Sequence, residues 1–314
     1  VYERQAWRWC VIRTGAPQRQ RLLPGSIRLT TGLNEVLADP AVDAVVLATP
    51  ANTHLAIARQ VLAAGKHTLV EKPLDVSLER AEELFRIAEA SKLCFGVVLQ
   101  HRFRPGAVRL RVLLASGALG ELQAGMLQVP WWRSKAGYYD QAGRGTRERD
   151  GGGVLLTQAI HSLDLFRSFV GVRKVVVAQV ITTALHTMET EDFVSALLTL
   201  GNGAPGNLMA TTAMYPGRTE SIELVCTQAN VSLVGGGLQV HYHDGRTEVV
   251  DGDAKTGSGD SIMDFAPDAH IALHGDFLDA ITNQREPLVS GREALLTHRL
   301  IEEILSAGAE DPTR

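Results

Sequence analysis

The stretch Val42-Asp43-Ala44-Val45-Val46-Leu47-Ala48-Thr49-Pro50 is a β-branched apolar run bounded by polar residues, the pattern of a strand buried on both faces. Past it, Leu55, Ile57, Ala58, Val61 and Leu62 recur at helical spacing behind the capping residues Asn52 and Thr53, with Gly65 as a stop signal. Lys66-His67-Thr68-Leu69-Val70 reads as a second short strand, 77–91 as a helix and 93–99 as a third strand. This alternation predicts a doubly wound parallel sheet.

The rhythm changes past Arg104. Helical spacing returns at 106–116 and 154–170, with a loop rich in Trp, Tyr, Gly and Arg between them. Runs at 174–183, 193–200, 207–213, 221–226 and 238–243 are strand-like and mostly joined by Gly, Pro or Asn turns, which predicts one mainly antiparallel sheet. A loop is expected over 251–268 and helices over 271–282 and 292–306. The expected division is an α/β unit over 1–98 and an α+β unit over 99–314. The sheet's apolar alternation exceeds what one layer of helices can cover, so it is expected to form a subunit interface.

Composition narrows the class. The 314 residues are 45% hydrophobic, enough for a substantial core. Thirty-one Lys and Arg against 35 Asp and Glu leave a net charge of −4 with no basic block, which argues against nucleic acid. Apolar runs such as 44–48 and 175–178 fall far short of the roughly 18 residues of a membrane helix. The start lacks a signal-peptide layout, so a soluble cytoplasmic protein is expected. Cys10, Cys94 and Cys226 lack CxxC spacing, and His270 and His274 lack the glutamate of HExxH, so no metal site is expected. His241 and His243 alternate on a predicted strand, and neither GxSxG nor GxxxxGK[ST] is present.

Lys72 directly follows a predicted buried strand, at the carboxyl edge where open α/β sheets bind ligands, and Pro73 restricts it to an extended backbone. An exposed turn lysine is the alternative. The helix after Gly151-Gly152-Gly153 is largely apolar through Leu155, Leu156, Ala159, Ile160, Leu163, Phe166 and Phe169. Its polar exceptions Thr157, His161, Asp164 and Ser168 fall at i, i+4, i+7 and i+11, one stripe lining a cleft. His161, oriented by Asp164, suits proton removal from a secondary alcohol; a hydrogen-bonded core histidine is the other option. In the loop Trp131-Trp132-Arg133 to Tyr138-Tyr139 and Arg144-Gly145-Thr146, aromatic faces suit sugar or nicotinamide rings, and Arg133 and Arg144 suit a carboxylate or phosphate. Core or rim packing remains equally open for each aromatic.

The run Ala64-Gly65-Lys66-His67-Thr68-Leu69-Val70-Glu71-Lys72-Pro73-Leu74 strongly resembles the signature of the Gfo/Idh/MocA family of nicotinamide-dependent enzymes. Thr49-Pro50 with His54, Gly151-Gly152-Gly153 leading to His161 and Asp164, and the helix from His274 to Phe277 match in order, so the resemblance covers about 26–307. It implies an incomplete Rossmann-type sheet followed by the α+β unit, and NAD or NADP as cofactor. The implied reaction is oxidation of a secondary alcohol of a sugar, cyclitol or sugar nucleotide, or reduction of the ketone. Lys72 and His161 would be catalytic. Thr49, Pro50, His54, Glu71, Lys72 and Gln100 would bind cofactor, and Arg102, Trp132, Arg133, Tyr139, Thr157, Gln158 and Asp164 would bind substrate. A homodimer or homotetramer through the antiparallel sheet is implied.

Two departures matter. Thr157 stands where many relatives carry aspartate, and Thr157-Gln158-Ala159-Ile160-His161 is more like the branch acting on nucleotide-linked sugars. The first 24 residues hold only Gly15 and no GxGxxG turn; 9–12 best fit a second strand, and Arg13 is the candidate for an NADP 2′-phosphate. A fragment or altered start, with the first strand missing or irregular and weak NAD(P) binding, is the corresponding expectation. Two other classes stay open: a non-catalytic binding or regulatory protein of the same fold, and an NAD-assisted glycoside hydrolase.

Overall fold

A computed structural model describes residues 9–11, 27–252 and 266–309. Strand β1 (Trp9–Val11) pairs in parallel with β2 (Arg28–Thr30), and the short helix α1 (Leu33–Ala38) follows. The expected strand near 9–12 is therefore present, but among the described residues it pairs with β2 alone. Arg13, Gly15 and the expected glycine-turn region lie outside the described residues.

Strands β3 (Ala44–Leu47), β4 (His67–Val70) and β5 (Phe95–Val97) form a parallel sheet in that order. Helices α2 (His54–Ala63) and α3 (Leu78–Ser91) supply the crossovers and pack together. Small buried residues, Ala58 on α2 with Ala81 and Ala88 on α3, permit that close approach. Ser77 caps α3 by accepting the Arg80 N–H. Asn52 and Thr53 do not cap α2 as expected: 51–53 form a 3-10 turn, and the Thr53 hydroxyl donates to the Pro50 carbonyl at 2.7 Å.

After a 3-10 turn at Gln100–Phe103 come α4 (Pro105–Ala115), β6 (Leu122–Pro130), α5 (Arg147–Asp150) and α6 (Ile160–Val170). Strands β7 (Val172–Ile181), β8 (Phe193–Leu200), β9 (Pro205–Thr211), β10 (Ser221–Cys226), β11 (Ala229–Val234), β12 (Gly237–Tyr242) and β13 (Thr247–Val250) follow, then α7 (Asp268–Thr282) and α8 (Gly291–Ala309). Together with β6 they make an eight-stranded sheet in the order β13-β12-β11-β10-β6-β9-β8-β7, antiparallel except where β6 meets β9. Strands β6, β11 and β13 escape the sequence pattern. The reason in β6 is its central position: flanked by β10 and β9, it carries an irregular mixture of apolar and polar residues ending in Pro130.

One face of this sheet is buried, with α6 against β6, α8 against β7 and α4 against β12; Leu163 and Phe166 of α6 are fully enclosed. The strands also expose Val176, Val177, Leu197, Val225, Val234 and Val249. No helix among the described residues is long and apolar enough to cross a membrane.

A buried charge network ties the turn after β5 to the helices over the large sheet. Arg102 holds Asp164 with two bonds of 2.7 Å and reaches Glu293 Oε2 at 2.9 Å. Thr297 adds a 2.8 Å bond to Asp164, and Arg167 binds the same Glu293 oxygen at 2.7 Å. Asp164 is 0% exposed and Arg102 5%. Their expected substrate contacts are thereby corrected: each spends its polar atoms on the other inside the protein, and Asp164 is not the partner of His161. Asp164→Ala leaves Arg102 desolvated with half its compensation, so a loss of about 3 kcal/mol in urea unfolding is expected. A loss within 0.5 kcal/mol, roughly that of a surface change, would contradict this role.

Candidate active site

Glu71 and Lys72 leave the carboxyl end of β4, and the Lys72 Nζ donates to the Thr157 carbonyl at 2.7 Å. Two buried side chains set this turn. His54, 0% exposed, places Nδ1 3.0 Å from the Pro73 carbonyl and Nε2 2.9 Å from the Thr49 carbonyl. Asp75 accepts the Leu55 and Val76 N–H groups and the Arg80 guanidinium. His54 is therefore corrected from cofactor ligand to positioning residue, because both its nitrogens face backbone carbonyls inside the protein. Thr49 and Pro50 are exposed beside it.

The second half of the site begins at the glycine run. A Cβ on Gly153 would stand 1.9 Å from the Glu191 carbonyl oxygen, and one on Gly151, where φ is +76°, would stand 2.3 Å from that of Val76. This close approach lets the buried Glu191 carboxylate accept the Gly153 and Leu155 N–H groups at 3.0 and 3.1 Å, satisfying donors at the start of the next helical segment. Burial raises the Glu191 pKa against those hydrogen bonds.

Residues Leu155–Ala159 form a π turn ahead of α6. The extra residue per turn breaks the expected polar stripe, as π turns at functional sites commonly do. Thr157 donates its hydroxyl to the Gly153 carbonyl at 2.7 Å, and its own carbonyl receives Lys72. Ser168 bonds the Leu165 carbonyl, while Asp164 belongs to Arg102.

His161 thus stands apart from the expected stripe. It is 8% exposed, packs against the His101 ring at 4.9 Å between centroids, and its Nδ1 has no hydrogen-bond partner. Burial, then the charges of Lys72, Arg104 and His270, hold its pKa well below the ordinary imidazole value. His101 is held down by the same kinds of cause. Burial also lowers Lys72 to about 8, with Arg144 and Arg133 adding to the effect and Glu71 and Asp150 opposing it. Glu71 is raised by burial against the pull of Lys72. Gln100, next to His101, has a buried Oε1 without a partner. A buried polar group without a partner is uncommon in a folded protein and marks a place where a water, an ion or a ligand completes the bonding.

The aromatic loop closes the arrangement. Arg133, 2% exposed, donates to Gln158 Oε1 at 3.2 Å, and the Gln158 amide donates to the Tyr138 hydroxyl at 2.5 Å. Arg144 stacks on Tyr138, its Cζ 4.7 Å from the ring centroid. Tyr139 shares a 2.8 Å hydrogen bond with Thr212 and packs on His186, which also lies 5.9 Å from the Trp132 ring. Beneath them His186 Nδ1 meets Asp192 Oδ2 at 2.7 Å while its Nε2 meets the Arg133 carbonyl at 2.9 Å. Arg133 and Gln158 lie buried with their side chains engaged, and Trp132 and Tyr139 are part-exposed. Sequence reasoning assigned no role to His101, His186, Glu191 or Asp192. His101 stands between the candidates Gln100 and Arg102; His186 pairs with Asp192 six positions on, whereas Glu191 reaches Gly153 and Leu155, and His186 Nε2 the Arg133 carbonyl, across segments that only folding brings together. Among the described residues no cluster of metal-ligating side chains occurs.

Two family descriptions cover most of the chain: an oxidoreductase family with an NAD-binding Rossmann fold over residues 10–99, and the GFO/IDH/MocA C-terminal domain over 107–232. An uncharacterized oxidoreductase of Synechocystis is 28% identical over 223 residues, 67% of this chain but only 60% of that protein. The UDP-N-acetylglucosamine 3-dehydrogenase of Acidithiobacillus ferrooxidans is 31% identical over 259 residues, 81% of this chain and 76% of the relative. In fold, levoglucosan dehydrogenase in complex with NADH superposes with a TM-score of 0.83 at 20% identity, covering 96% of this chain and 87% of that one. With the parallel sheet, the large mixed sheet and both halves of the sequence in agreement, the chain belongs to the Gfo/Idh/MocA family of oxidoreductases, whose N-terminal part is an NAD-binding Rossmann fold.

Proposed function

We propose that the protein oxidises a secondary alcohol of a sugar, cyclitol or sugar nucleotide with a nicotinamide dinucleotide, or reduces the corresponding ketone. The observation that carries this is Lys72: a lysine at the sheet's carboxyl edge, lowered to about 8, anchored to the segment that leads into His161. A group with that pKa exchanges protons near neutrality, which an alcohol–ketone interconversion requires. The UDP-sugar and levoglucosan dehydrogenases above support the substrate class. The proposed division of labour between residues 1–98 and 99–314 places the cleft at their junction.

The residues at the sheet edge fit the nicotinamide end of the cofactor. Gln100 Oε1 is a buried acceptor without a partner, which suits an amide N–H, and Thr49, Pro50, Glu71 and Lys72 line the same edge. When bound, the cofactor would take or return the hydride at the carbinol carbon. The protein's residues handle the proton. Neutral Lys72 accepts it from the substrate hydroxyl during oxidation, and the ammonium returns it during reduction. Neutral His161 hydrogen-bonds the same oxygen through a ring nitrogen; its depressed pKa makes it the weaker base, so Lys72 rather than His161 carries the proton. Trp132 and Tyr139 pack against the substrate ring, held by His186 and Asp192.

The sign of the pH dependence follows. Below about 8 Lys72 is protonated and cannot accept, so kcat for oxidation should rise through that pH while kcat for reduction falls. Lys72→Met should remove the limb and lower kcat by about 10²–10⁴ with a smaller effect on KM. An unchanged limb in the variant would assign the proton to another group. Absorbance at the reduced nicotinamide band, across a panel of sugars and inositols, tests the reaction itself; glycoside cleavage without net reduction would favour the hydrolase reading.

The open apolar side of the large sheet is the proposed contact between copies, in a homodimer or homotetramer. Val176, Leu197 and Val249 are 56%, 54% and 58% exposed there. Light scattering at micromolar concentration should give a dimer or tetramer, and the pair Val176→Lys with Leu197→Lys should shift it towards monomer. A monomeric unmodified protein would refute this.

A further inference from the structure

The ring that packs on His161 has a second neighbour on its far side. His101 is buried, its plane tilted 31° to that of His161 at the 4.9 Å centroid distance. Beyond it opens a small pocket, lined by His101 together with Arg104, Ser162, Glu220, Leu233 and Gly235, while His161 is not among its walls. The His101 side chain therefore stands between that space and the His161 ring. Its Nδ1 lies 3.5 Å from the Ser162 hydroxyl, at the outer limit of a hydrogen bond.

The rear pocket is polar and firmly built. Arg104 donates to Glu220 Oε1 at 2.5 Å, and the Trp131 indole donates to the other Glu220 oxygen at 3.1 Å. The Gly106 N–H donates to the Gly236 carbonyl at 2.8 Å, and a Cβ on Gly106 would stand 2.7 Å from that oxygen, so the segment that carries His101 is seated on the turn between β11 and β12. A hydroxyl and an ion pair around such a space suit water. Water reaching an imidazole restores the hydration that its charged form lacks when buried. For His161 burial is the first cause of the depressed pKa, ahead of Lys72, Arg104 and His270. The wall itself is uncharged, because burial and then Arg104, His161, Lys72 and His270 hold His101 well below the ordinary imidazole value.

We propose that His101 is a positioning residue whose ring separates His161 from the rear pocket, keeping water off that imidazole and fixing the plane in which it meets the substrate oxygen. The inference rests on the reading of His161 as the imidazole that hydrogen-bonds the reacting oxygen, and it adds the group that acts through it. A protonated His161 would set a second cation beside Lys72 and weaken the hold of the amine on its proton. Kept neutral, it leaves Lys72 as the group that titrates in the cleft.

A pH titration of the histidine ring signals by NMR, on protein labelled with carbon-13 in histidine alone, tests this, with the His161 signal assigned from its loss in His161→Gln. In the wild-type chain His161 should stay silent through the ordinary imidazole range around about 6.5. His101→Ala and His101→Asn open the wall and should bring the His161 titration into that range. His101→Phe, which fills the space without a ring nitrogen, should keep it out. Leu233→Ala enlarges the pocket behind an intact wall and should also leave His161 silent, which separates the wall from a general loosening of the core. In the opening variants kcat for ketone reduction should gain an inflection at the same pH, absent from the wild type. A His161 that titrates in that range in the wild type, stays silent in both opening variants, or titrates equally in Leu233→Ala would overturn the proposal. The expected titrations in a chain that reduces no nicotinamide with any sugar would uphold the wall while refuting the oxidoreductase reading. Sugar-dependent reduction with His161 silent in both opening variants would do the opposite.

Discussion

The Lys72 ammonium, 2.7 Å from the Thr157 carbonyl, is a charge taken out of water at the junction between the parallel sheet and the segment leading into α6. Its desolvation depresses its pKa, and its hydrogen bond ties the two halves of the cleft to each other. Much of the surrounding structure serves that one placement. His54 and Asp75 brace the turn from the sheet side; Gly153 and Glu191 set the π turn from the helix side. The chemistry proposed here needs an amine that is half committed to its proton, and a mobile surface lysine in water would titrate near 10.4 instead.

A second tie runs deeper. The Arg102–Asp164 pair with Glu293, Arg167 and Thr297 couples the turn after β5 to α6 and α8 without touching the cleft. Buried ion pairs of this kind add little net stability over a hydrophobic replacement, but breaking one is costly. Here the network holds α6, so His161 is positioned by a charge pair a turn away rather than hydrogen-bonded by it. The imidazole is left with an unpartnered Nδ1, and its burial, with the charges of Lys72 and Arg104 adding to it, holds its pKa well below the ordinary imidazole value.

The aromatic loop shows the same separation between support and presentation. His186 and Asp192 lie underneath, Trp132 and Tyr139 above them, with Arg133 inside and Arg144 outside. The inner members are fully paired or buried; the outer ones retain accessible faces or donors. A rigid inner shell lets the outer side chains hold their geometry against a mobile ligand.

Local periodicity and backbone restriction carry the first level of this structure. The buried run ending in Glu71-Lys72-Pro73 specified a parallel strand with its lysine at the ligand edge, and the glycine run before an apolar helix specified a close backbone approach ahead of His161. Most strands of the large sheet were legible from alternation, whereas β6 was not, because pairing on both edges rather than its own pattern makes it a strand. The tertiary structure alone decided which partner each polar side chain took. Asp164 lies one helical turn from His161 yet bonds Arg102, which is 62 positions away, and His54 bonds carbonyls on two separate turns. Thr157 turns its hydroxyl back on its own helix and offers only its carbonyl to Lys72. Spacing along a chain specifies which face a residue occupies; the partner it meets there, and the desolvation that shifts its pKa, depend on chain segments that only folding brings together.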